Sequence, residues 1–221
     1  MAMRKLFFFS GYGGRGKTFA ASLLADLAIE QGVESLTLVG STYNNISDRF
    51  KSGQYGETAV SVLKYDPLTG LHGDEVDKVP VFFTMLEESG FKSDDSEQVL
   101  IVDFGSECTI ALTGKDVMDI LKGAAEAFNM ELHIMFAMST PGKDMDACAH
   151  VLDNMPEASV TVITRTDTDY TEAQKYFGQH VKKPLLQLAQ SNPDRPSDKL
   201  LKALGISGYR TFKPVLADHI R

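Results

Sequence analysis

The chain has 221 residues, 43% of them hydrophobic and 24% charged, with a formal net charge of −8. That length and balance suit one folded domain over residues 1–221 and exclude a disordered or fibrous chain. No run approaches the roughly 18 apolar residues that cross a bilayer as a helix, so no integral membrane association is expected.

Arg4 and Lys5 precede Leu6-Phe7-Phe8-Phe9, but that apolar run breaks at Ser10-Gly11 and is too short for a signal peptide. Residues 6–10 read as a strand. Residues 18–31 place Ala20, Leu23, Leu24, Leu27 and Ala28 at helical spacing before Gly32. Strands are expected at 35–39 and 59–65 and a helix at 79–89. Val99-Leu100-Ile101-Val102 is the clearest buried strand, ending on Asp103. Residues 115–129 carry Val117, Ile120, Leu121 and Ala124 on one helical face. Strands at 132–137 and 160–164 flank a helical pattern at 144–153, and short helices are expected at 183–190 and 197–204. Strands that alternate with helices and are themselves apolar throughout predict an α/β fold, a mostly parallel sheet with helices on both faces.

Residues 11–18, Gly11-Tyr12-Gly13-Gly14-Arg15-Gly16-Lys17-Thr18, satisfy G-x-x-x-x-G-K-[ST] between the first strand and the first helix. Glycines let the backbone curl until successive N–H groups point at phosphate oxygens, and the helix N-terminus adds its positive end. Gly11, Gly13, Gly14, Arg15 and Gly16 would form the cradle. Lys17 reaches the β and γ phosphates, and the Thr18 hydroxyl ligates Mg²⁺. The rival reading, a glycine-rich turn followed by chance by Lys-Thr, makes its position between strand and helix a coincidence. Such a site needs a carboxylate at the end of a buried strand to hold the magnesium ion directly or through water, and Asp103 is that candidate. Lys17 and Asp103 are the candidate catalytic pair.

The paired glycines Gly13-Gly14 before Arg15-Gly16-Lys17-Thr18, followed by a helix and a second strand, resemble the ParA/MinD family of cytoplasmic ATPases, over residues 3–167. The resemblance implies a P-loop NTPase fold of the SIMIBI type, with ATP and Mg²⁺ as ligands. It further implies a nucleotide-dependent homodimer acting in plasmid partition, stability or mobilisation, or in positioning a protein complex. Three departures qualify it. Tyr12 stands where the family has a lysine that reaches the partner's phosphates, so that contact is not carried over. After the second strand, Gly40-Ser41-Thr42-Tyr43-Asn44-Asn45 offers no carboxylate before Asp48, which implies slow hydrolysis because the attacking water lacks an orienting group. In Thr164-Arg165-Thr166-Asp167, Arg165 matches the family's Asn-Arg base contact and Thr164 replaces the Asn. The same tetrapeptide is similar to the [NT]-K-x-D motif of GTPases, with Asp167 on the guanine edge. ATP is the expected nucleotide, GTP the alternative, and a polar turn without base contact the third reading.

Residues 182–221 hold eight Lys or Arg against three Asp, while the rest of the chain holds 14 basic against 27 acidic residues. This basic segment is either a solvated face offsetting an acidic body or a docking patch for nonspecific DNA or an acidic partner. Arg15 is either a charge offered to a neighbouring subunit's nucleotide or a solvated side chain. Cys108 and Cys148 form no CxxC, and the five histidines show no ligand spacing, so no zinc site is suggested and a reducing cytoplasm fits. Three functions remain open: a nucleotide-driven switch with slow hydrolysis, a non-hydrolysing nucleotide-binding scaffold, and a small-molecule kinase or ligase of the dethiobiotin synthetase kind.

Overall fold

Phe7, Phe8 and Phe9 are 0%, 1% and 0% exposed. Successive strand residues face opposite sides of a sheet, so three consecutive buried rings require a strand covered on both faces. Each ring contributes on the order of 2 kcal/mol by leaving water, which favours this strand at the sheet centre. The computed structural model, which describes residues 4–11, 16–40, 46–65, 84–91, 96–104, 114–138 and 159–164 with Thr171 and Lys175, places it there.

The described elements run β1 (Arg4–Gly11), α1 (Lys17–Glu30), β2 (Ser35–Gly40), the one-turn helix α2 (Ile46–Arg49), β3 (Gly53–Tyr55), β4 (Thr58–Lys64), β5 (Gln98–Asp103), α3 (Gly114–Ala127), β6 (Glu131–Met138) and β7 (Ser159–Thr164). The seven strands form one sheet in the order β3-β4-β2-β5-β1-β6-β7. Every neighbouring pair is parallel except β3 with β4. Each expected strand, and the helices expected at 18–31 and 115–129, lies within two residues of an observed element. Residues 84–88 are helical, inside the helix expected at 79–89. The helices expected at 144–153, 183–190 and 197–204 lie outside the described residues.

Two elements escaped the sequence reading, α2 and β3. β3 is only three residues long and largely exposed, so it has no apolar period to detect. It exists because Gly56, at φ +60°, opens a two-residue turn that pairs Tyr55 with Thr58. α2 is held from outside itself: Ile46 is fully buried, and Arg49 pairs with Asp26 of α1 while lying over the Phe50 ring at 5.5 Å.

Both faces of the sheet are covered, for a topological reason. The chain leaves β1 in one direction along the sheet, through α1 to β2, and leaves β5 in the other, through α3 to β6. Right-handed crossovers running in opposite directions lie on opposite faces. α1 packs with Phe7, Phe9, Leu36, Leu38, Val99 and Ile101 in one continuous core. The alternate residues Leu6, Phe8, Leu100, Val102, Ile134 and Phe136 are equally buried, on the α3 side.

At the lower edge, buried Arg4 ties three segments together. Its Nε and Nη2 donate to the Phe128 carbonyl at 3.0 and 2.7 Å, and its Nη1 donates to the Ser96 carbonyl at 3.1 Å. Phe128 follows α3, whose end is closed by Asn129 in the left-handed conformation at φ +50°. There the Asn129 N–H donates to the Glu126 carbonyl and the Met130 N–H to the Ala125 carbonyl, so carbonyls of the last helical turn are satisfied.

Candidate functional site

In an open parallel sheet the ligand crevice lies beyond the strand C-termini, where neighbouring strands send their connections to opposite faces. β1 and β5 are that pair. Phe8 of β1 is in register with Val102 of β5, so Phe9 and Asp103 continue side by side toward the upper edge.

Gly11 is the last residue of β1, and its conformation is fixed by the sheet. Its φ is +117°, and a Cβ there would stand 2.1 Å from the carbonyl oxygen of Ala137, its register partner on β6. No side chain fits. Five residues later the chain is helical: Gly16, at φ +91°, is the N-cap of α1, and its carbonyl accepts the Ala20 N–H at 3.0 Å. The first turn of any helix leaves its N–H groups without helical acceptors and carries partial positive charge. Here Gly16 supplies no side-chain cap, and the first turn contains no acidic residue. Nothing in that turn competes with an incoming anion.

Lys17 is 6% exposed and Asp103 is fully buried. Thr18, on the next position of α1, donates from Oγ1 to Asp103 Oδ2 at 2.7 Å across 85 residues of sequence. This pair joins the start of α1 to the end of β5 at the mouth of the crevice. A hydroxyl and a carboxylate side by side are hard oxygen donors of the kind magnesium takes. Among the described residues there is no group of three or more His, Cys, Asp or Glu suited to a metal. Mg²⁺ habitually takes only one or two carboxylate or hydroxyl ligands from a protein and fills the rest of its shell with water and phosphate oxygens. The residues present fit that ion.

The other expected contacts are placed less completely. Thr164 ends β7, two strands from β1 and so about 10 Å along the sheet edge. Asp48 lies on α2. Gly13, Gly14, Arg15, Arg165, Asp167 and the basic segment 182–221 lie outside the described residues. Gly40, where β2 ends, is in register with Asp103, so the edge position beside that carboxylate carries no side chain.

Sequence reasoning passed over the support beneath Asp103. Phe104 is 1% exposed, with its ring centroid 5.9 Å from Phe8 and 5.6 Å from Tyr65. The signal available was an aromatic residue immediately after a strand-ending carboxylate.

No protein-family model matches the chain, and no curated protein matches it by sequence. Solved structures do. The pNOB8 ParA, in a structure bound to nonspecific DNA, aligns over 99% of this chain and 98% of its own, with a TM-score of 0.59 and 13% identity. The signal recognition particle receptor FtsY of Elizabethkingia anophelis aligns over 95% of this chain and 66% of its own, at a TM-score of 0.52 and 13% identity. FtsY of Mycoplasma mycoides aligns over 78% of this chain, with a TM-score of 0.47 and 14% identity; the matched part is 57% of that protein's length. At such identities the likeness is one of fold. The chain has the fold of the P-loop NTPases of the SIMIBI class.

Proposed function

We propose that this chain binds ATP with Mg²⁺ and acts as a nucleotide-dependent switch of the ParA/MinD-like type. The observation that carries the reading is the hydrogen bond from Thr18 to the buried Asp103, at the start of a helix whose first turn is free of acidic residues and side-chain caps. In this reading the N–H groups of that turn and Lys17 bind the β and γ phosphates. Thr18 and Asp103 would hold the ion, which when bound neutralises phosphate charge. Thr164, Arg165 and Asp167 would meet the base, since β7 lies on the far side of β1 from Asp103. ATP is preferred to GTP because Arg165 is similar to the base contact of that family.

Hydrolysis is slow in this reading. The edge position beside Asp103 is Gly40, and Tyr12 replaces a lysine of the family signature. The same two residues favour the second reading, a scaffold that binds nucleotide without turning it over. ATP binding would favour a dimer or a partner-binding state in the cytoplasm. The pNOB8 ParA bound to nonspecific DNA makes DNA a partner to test for the basic segment 182–221, in plasmid partition or a related process.

Light scattering without nucleotide, with Mg-ADP and with Mg-ATP, with phosphate release followed in the same samples, tests the proposal. A mass that doubles only with Mg-ATP, accompanied by slow release, is the expected result. Unchanged mass without release, together with tight binding, selects the scaffold. Absence of nucleotide binding, or a Lys17→Ala variant that binds as tightly as the parent, refutes both readings.

A further inference from the structure

Asp103 and Phe104 are consecutive, yet they serve opposite faces of the sheet. Asp103 turns toward α1, where Thr18 meets it. Phe104 packs behind, against Phe8 at an interplanar angle of 60° and against Tyr65 at 45°. Phe8 belongs to the face away from α1, so the aromatic contact and the carboxylate contact grip one strand end from two sides.

Tyr65 is the first residue after β4 and is 8% exposed. Its N–H donates to the Gly40 carbonyl at 2.9 Å, and Gly40 is in register with both Lys64 and Asp103. The Tyr65 backbone is thus tied to β2, and its ring reaches past the end of β2 to the residue that follows Asp103. Through Phe104 and Phe8 the contact continues to β1, which leads into the phosphate loop. Three of the chain's exits from the sheet, after β1, β4 and β5, are referenced to one buried cluster.

We propose that Tyr65 is a positioning residue for the metal carboxylate: its ring, acting through Phe104, holds the end of β5 so that Asp103 is pre-set beside Thr18 for a divalent ion. The inference rests on the nucleotide-site reading above. The direction of the expected effect follows from chemistry. Lys17 and the N–H groups of the first turn of α1 meet phosphate directly, whereas Asp103 contributes to the affinity through the ion. Loss of the Tyr65 ring is therefore felt in the magnesium-dependent part of nucleotide binding.

The test is the dissociation constant of a fluorescent ATP analogue measured in excess Mg²⁺ and in EDTA, for the wild type, Tyr65→Ala and Tyr65→Phe. The wild type binds more tightly with Mg²⁺. In Tyr65→Ala that gain shrinks by about tenfold, the scale on which groups supporting a metal ligand act, while the EDTA value is retained. Tyr65→Phe, which keeps the ring, restores the gain. If Tyr65→Ala does not fold, Tyr65→Leu is read in the same way. An equal loss in both buffers marks a general structural role and overturns the proposal, as does a magnesium gain unchanged by loss of the ring. A wild type that binds no nucleotide in either buffer refutes the site reading itself and this inference with it.

Discussion

Replacing Gly11 by alanine separates the role that its motif suggests from the one that the sheet imposes. The motif makes Gly11 a phosphate-loop residue, needed when nucleotide is bound, whereas the fold makes it a sheet residue, needed always. A Cβ at φ +117° in a backbone region that side chains rarely occupy costs about 1–3 kcal/mol. The 2.1 Å approach to the Ala137 carbonyl oxygen adds an overlap with backbone that no rotamer change relieves. Overpacking of this kind costs about 1–3 kcal/mol more. The sum, roughly 2–6 kcal/mol, is a large part of the total for a domain whose stability is typically about 5–15 kcal/mol. For a chain of this size it lowers the melting temperature by about 5–20 °C. The assay is thermal unfolding of the nucleotide-free protein, followed by circular dichroism. Gly56→Ala serves as the comparison, because Gly56 has φ +60° but open space around its missing side chain. It incurs only the conformational term, about 1–2 kcal/mol. A nucleotide-free Gly11→Ala protein that melts with the wild type, or no lower than Gly56→Ala, refutes the argument that β6 dictates this glycine.

Arg4→Met retains an unbranched chain but removes all three donors to Phe128 and Ser96. A loss of about 3 kcal/mol in urea unfolding is expected, since hydrogen bonds from a charged donor contribute about 1.5–3 kcal/mol each and share acceptors here. Asn129→Ala should lower stability by about 1 kcal/mol, because alanine has no local hydrogen bond to offset the left-handed backbone, whereas Asn129→Gly should not lower it; the same unfolding curves decide both. Thr18→Val keeps the side-chain shape while removing the hydroxyl that meets Asp103. It should abolish the difference between nucleotide affinities in Mg²⁺ and EDTA, and a retained difference would remove Thr18 from the proposed ion shell.

Local pattern was enough for much of this protein. The four apolar residues before Asp103, the helical spacing of Leu23, Leu24 and Leu27, and the turn chemistry at Gly32 each lie within one element, and periodicity and capping act over a few residues. The contiguous residues 11–18 likewise carry the motif of the proposed phosphate loop in one stretch of backbone. β3 was illegible for the complementary reason: an exposed strand of three residues owes its existence to β4 and the turn at Gly56, not to its own sequence.

What remained for the tertiary structure was every relation between segments. Sequence named Thr18 and Asp103 as candidates for one magnesium ion, but their contact spans 85 residues and depends on β5 taking the place between β1 and β2. Strand order is settled by which buried faces pack together across the whole sheet, and no local window contains that comparison. The same holds for Gly11, whose constraint is a carbonyl on β6, and for Tyr65, whose ring meets Phe104 only because β4 and β5 flank the end of β2. Sequence by itself determined most of the elements, because those follow from short-range sterics and periodic burial. The tertiary structure decided which of them meet, because parallel pairing joins residues far apart in the chain and is selected by the packing of the sheet as a whole.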